Sequence, residues 1–176
     1  MPRIPYLPSD VQEPADLVSA VRARRGGALL NLDRMLLHSP PLTRGWNGFL
    51  GAVRSELTVP AKLRELATCA VAVLNGADYE LHHHEAPFLA TGGTEAQLAV
   101  LRSGPGADGG ADAFDAEERA VLQLALELTR EVRVADGTFE AVRAFLGERG
   151  TVELVGVIAA YNMVCRFLVA LGIESE

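Results

Sequence analysis

The segment from Lys62 to Leu74 constrains the fold more than any other part of this chain. Apart from Arg64, Glu65 and Thr68, it is a run of Leu, Ala, Val and Cys after its opening lysine. An apolar stripe on one side would mark a surface helix, whereas apolar residues on every side require a helix wrapped by other elements. Val59-Pro60 opens the segment, with Pro60 near the first helical position, where a missing N–H does no harm. Asn75-Gly76 supplies the residues that end it. Glu65 conflicts with these surroundings, because a carboxylate among apolar neighbours is costly to bury unless it is paired or hydrogen-bonded.

The rest of the chain reads as helices that could do the wrapping. Met1 to Gln12 is Pro-rich and extended, an arm lying on the surface or on a neighbouring subunit. Glu13 to Arg24, Leu29 to Leu37 and Leu42 to Ser55 each carry apolar residues at helical spacing. Asp78 to Ala90 follows the central segment, with Pro87 as a point of kinking or restart. Thr94 with Gln97, and Asp115 with Glu118, form capping boxes for two further helices, the second running from Ala116 to Val132. Gly104 to Gly110 is a Gly-rich connector that matches no phosphate-loop pattern. Thr138 to Gly147 and Val152 to Leu171 complete the chain. No segment alternates as a strand does, so the expectation is one all-α domain, residues 1–176, of about seven or eight helices.

Composition narrows the functional classes. The formal net charge of −7 argues against nucleic acid as the main partner, which needs clustered Lys and Arg. Only Cys69 and Cys165 are present, both in apolar helical patterns; this is no disulfide framework, and it suggests a reducing, cytoplasmic setting. Pro2, Pro5 and Pro8 interrupt the N-terminus before a leader-like apolar run develops. Leu154 to Leu171 is long enough to raise the question of a membrane span. Asn162 and Arg166 interrupt it, so it reads as a buried core helix.

Chemistry concentrates in Asn75-Gly-Ala-Asp-Tyr-Glu-Leu-His-His-His-Glu85. On a helix from Asp78, Glu80, His83 and His84 share one face and His82 points away. Packing of this helix beside the central one would bring Glu65 to His84, and a buried Glu–His pair can relay protons. The plainer alternative pairs Glu65 with Arg64 or Arg166 and leaves the histidines as a solvated face. Glu80 and His83 also make one Glu-x-x-His pair, but a di-iron site would need a second, so no metal and no cofactor is expected.

These residues carry a resemblance. Leu63-Arg-Glu-Leu66, Val73-Leu-Asn-Gly76, Tyr79-Glu80 and His83-His84 resemble the carboxymuconolactone decarboxylase family, which includes the alkylhydroperoxidase D-like proteins. Asn31 to Pro40 and Tyr161 to Ile173 are similar to further family segments, so the likeness runs from about Leu29 to Ile173. It implies an alkylhydroperoxidase D-like helical bundle and a homo-oligomer (trimer, hexamer or dimer). In the peroxidase branch a glutamate precedes Cys-x-x-Cys and a histidine. Those positions fall here on Glu65, Ala77, Glu80 and His84, so both cysteines are absent. Thiol attack and resolution need both sulfurs. The decarboxylase branch does without them. The expectation is therefore a lyase acting by proton transfer on a small organic acid or lactone. His84 would be the general acid/base, Glu65 would orient it, and His83, Glu80 and Tyr79 would line the pocket. Arg34, Arg44 and Arg166 are candidates to hold a substrate carboxylate. The alternatives are a non-catalytic oligomer that binds a small molecule, and a thiol antioxidant dependent on Cys69 or Cys165.

Overall fold

The computed structural model describes residues 1–104 and 111–176; the expected connector, Gly104 apart, lies outside the described residues. Among the described residues there are eight α-helices, a 3-10 turn and no strand. The chain divides into two compact units, Met1–Glu56 with Leu168–Glu176, and Leu57–Phe167.

The first unit holds α1 (Ala15–Arg25), α2 (Asn31–Leu36) and α3 (Pro40–Ser55). Leu17, Val18 and Val21 of α1 cluster with Leu29 and Leu37, and Leu7 and Val11 of the N-terminal arm pack onto that cluster. The arm is also tied down by hydrogen bonds. Arg34 Nε donates to the Leu7 carbonyl (2.6 Å), and the Arg3 N–H donates to the Leu171 carbonyl (2.9 Å). The arm therefore lies on its own unit. Buried Asp33 accepts hydrogen bonds from Arg24, Arg25 and the Leu30 N–H, which joins the end of α1 to the start of α2.

The second unit is built round α4 (Ala61–Asn75), which packs against α5 (Asp78–Ala90), α6 (Glu95–Ser103) and α7 (Ala116–Arg130). Every residue from Leu66 to Ala72 is fully buried, as an all-round apolar helix requires. Gly76 ends α4 in the left-handed region (φ 62°), which glycine enters without steric cost. The Ala77 N–H then bonds the Ala72 carbonyl (2.9 Å), so the chain reverses and α5 begins at once. α5 has the expected bounds, Asp78 to Ala90, with Pro87 inside it.

Helix α8 spans Asp136–Leu171 and is broken at Gly147 (φ 67°, ψ −177°), the boundary expected between the last two helices. The helical turns resume at residue 148, earlier than Val152. By length and composition α8 could cross a membrane, yet half of its most apolar window is buried within the chain. Buried Asn162 interrupts its apolar run for a structural reason. It donates to Thr129 of α7 (2.9 Å) and accepts from Asn75 at the end of α4 (3.1 Å).

Both expected capping boxes form, and they interlock. Gln97 reaches its own cap at Thr94 and also donates to the Glu118 carboxylate (2.9 Å). Glu118 in turn accepts the Asp115 N–H (3.0 Å) and pairs with Lys62 Nζ at the start of α4 (2.6 Å). One buried carboxylate thus ties together the starts of three helices. Removing one partner of such a pair leaves the others unsatisfied, so Glu118→Ala should destabilise the protein by about 3 kcal/mol, measured as a lower urea midpoint with an unchanged slope.

Candidate active site

The reversal at Gly76-Ala77 brings the second turn of α5 alongside the second turn of α4. Glu65 meets His84 there: Oε2 lies 2.6 Å from Nδ1. Glu80, one turn before His84 on α5, places Oε1 3.0 Å from Nε2. The imidazole is therefore held at both nitrogens by two carboxylates. Glu65 is 9% exposed and Glu80 3%, so neither charge is dispersed by water. Tyr161 of α8, also buried, meets the His84 ring edge-on, with centroids 5.0 Å apart and planes at 83°.

This arrangement fixes the protonation of His84. A neutral imidazole has one donor and one acceptor nitrogen, and it could satisfy only one carboxylate. Both contacts are favourable when both nitrogens carry protons. Burial alone would lower the pKa, but the hydrogen bonds and charges of Glu65 and Glu80 outweigh it and push His84 up to about 9. At neutral pH the site is a buried carboxylate–imidazolium–carboxylate chain, a proton reservoir rather than a free base.

The other expected residues sit nearby in different roles. Tyr79 is buried and His83 packs against its ring, with centroids 4.4 Å apart. His82 is exposed. Among the described residues, no group of His, Cys, Asp and Glu has the arrangement of a metal site. Of the arginines expected to hold a carboxylate, Arg34 is occupied by Leu7 and Asn31 in the first unit. Arg166 donates to Asn162 on its own helix, and Arg44 is exposed. Sequence reasoning treated Arg64 only as an alternative partner for Glu65. Its Nε lies 3.8 Å from Glu65 Oε1, beyond hydrogen-bond reach but inside the range of an ion pair. Adjacency to Glu65 was the available signal. Tyr161 was noted only as part of a family-like segment, and nothing in the sequence linked it to His84.

Both thiols are buried and free. Burial, reinforced by Glu65, pushes Cys69 up to about 12, and burial also raises Cys165. Neither is a thiolate at neutral pH.

Residues 40–127, half of the chain, match the carboxymuconolactone decarboxylase family. Three solved structures share the fold. An uncharacterized peroxidase-related protein from Silicibacter sp. TM1040 is 18% identical, with a TM-score of 0.81 over 99% of this chain and 94% of that one. An uncharacterized peroxidase-related protein from Ralstonia eutropha JMP134, described as an alkylhydroperoxidase AhpD core, is 19% identical, with a TM-score of 0.82 over 99% and 92%. A cysteine-to-alanine variant of the debrominase Bmp8, in complex with 2,3,4-tribromopyrrole, is 17% identical, with a TM-score of 0.80 over 100% and 94%. At these identities the likeness establishes the alkylhydroperoxidase D-like helical fold. No curated protein matches the chain in sequence.

The raised His84 pKa has a measurable consequence. The folded chain binds this proton more tightly than the unfolded chain does. The resulting stabilisation is complete below the ordinary value of 6.5 and is lost as pH rises through about 9. His84 ring resonances followed by NMR should titrate near pH 9, and Glu80→Gln should move that midpoint down.

Proposed function

Because the chain belongs to the carboxymuconolactone decarboxylase family, we propose that it is a decarboxylase-like lyase. It would act by proton transfer on a small organic acid or lactone. The supporting observation is the grip of Glu65 and Glu80 on the two nitrogens of His84. In the reaction, the bond from the substrate carbon to its carboxylate breaks and carbon dioxide leaves. The electron pair remains as a dienolate. As substrate enters, Glu80 gives up its contact with Nε2, and His84 donates that proton to the carbon that inherits the electrons, forming the new C–H bond. Glu65 and Glu80 keep the imidazolium oriented and protonated until then, and solvent restores the proton afterwards. Tyr79 and His83 line the approach.

A thiol mechanism is disfavoured by the two raised thiol pKa values and by Ala77 and Glu80 at the motif positions. The likeness to the peroxidase-related and debrominase structures is one of fold and does not extend that chemistry to this chain.

A second reading, a non-catalytic binder of small molecules, draws support from a cavity away from His84. Phe139, Arg143, Glu148, Thr151, Val152 and Val155 line a space of about 410 Å³ beside the break in α8. Turnover of a panel of lactone acids separates the two. Under the catalytic reading, His84→Gln lowers kcat by about a hundredfold or more, while the double variant Cys69→Ser, Cys165→Ser keeps both turnover and peroxide handling unchanged. No turnover of any panel member by wild type, together with saturable binding of one of them that survives His84→Gln, would support the binding reading instead.

The protein is further proposed to be cytoplasmic and homo-oligomeric. Leu42 and Phe49 of α3 are large apolar side chains left exposed within one copy, which suits a subunit contact. Light scattering should then give a mass above that of one chain, and Phe49→Glu should reduce it.

A further inference from the structure

Among the described residues, Arg64 is the one guanidinium within ion-pair distance of the Glu65–His84–Glu80 chain. Its Nε is shielded from solvent and makes no hydrogen bond. The nearest carboxylate oxygen, Glu65 Oε1, is at 3.8 Å. The whole side chain is 16% exposed. A shielded N–H without a partner costs free energy, and an anion that turns the guanidinium so that this N–H is paired recovers it.

The charges agree with this. Glu65 and Glu80 carry two negative charges against the single positive charge of His84, and Arg64 brings the group to neutrality. Glu65 is shared, with Oε2 held by His84 and Oε1 facing Arg64. The two cations are thus kept within the length of one small molecule. The three arginines expected from sequence to bind a carboxylate are occupied elsewhere or exposed.

We infer that Arg64 is the substrate-binding residue that selects a carboxylate-bearing compound, holding the anionic group while His84 addresses the carbon skeleton. This rests on the proton-transfer reading above. The guanidinium turns its outer N–H groups to the carboxylate, and its pairing with Glu65 limits where that carboxylate can sit. Selectivity arises because a neutral analogue leaves the shielded N–H unpaired.

The experiment is a calorimetric titration with two probes, butyrolactone γ-carboxylate and unsubstituted butyrolactone, so it needs no turnover. Wild type should prefer the carboxylate probe. Arg64→Gln should weaken that probe by about tenfold or more and leave the neutral one unchanged, and Arg64→Lys should restore part of the difference, since it returns a point charge without the fork. Circular dichroism of each variant identifies any that has unfolded, in which case Arg64→Lys alone carries the comparison: an intermediate preference supports the role. Equal binding of both probes by wild type, or an unchanged carboxylate preference in the substituted protein, overturns the role of Arg64. Failure of the proton-transfer reading would show differently, as turnover that survives His84→Gln while the preference for the carboxylate probe persists.

Discussion

The hydrogen bond between Glu65 and His84 is the interaction on which the rest of the second unit depends. It joins the one acidic residue of the buried helix α4 to the second turn of α5, and it forms only if the chain reverses sharply between them. Without the pairing, α4 would carry an uncompensated carboxylate into its apolar surroundings. Glu80 completes the arrangement from the other side of the ring. Each carboxylate accepts from one ring nitrogen, and the result is an imidazolium that persists well above the ordinary histidine range.

A positive histidine is unusual as a base but natural as an acid. The consequence follows from one position. Glu80 stands where the redox branch of the family would carry its second cysteine, and a carboxylate there accepts from the histidine rather than attacking a peroxide. Ala77, at the other motif position, is buried and serves only as the residue from which α5 begins. The cysteines that do exist lie in the packed interior, where burial suppresses the thiolate.

The helices were legible because their signals are local. Thr94 with Gln97 and Asp115 with Glu118 mark helix starts through bonds made within four residues, and both boxes form as expected. Gly76 and Gly147 mark breaks because few other residues tolerate their backbone angles. α5 keeps its expected bounds, Asp78 to Ala90, with Pro87 inside it.

The amino-acid sequence by itself determined that the chain is all-α, that Lys62 to Leu74 had to be enclosed, and that Glu65 needed a partner. These follow from periodicity and from the cost of burying charge, which are properties of residue order alone. Only the tertiary structure decided which partner it found. Glu80 and His84 share a face by residue order, but the meeting of His84 with Glu65, the Tyr161 ring against that imidazole and the shielded Nε of Arg64 depend on how helices rotate about their axes when they pack. That rotation is settled by side chains distant in sequence, so no local pattern could have announced it.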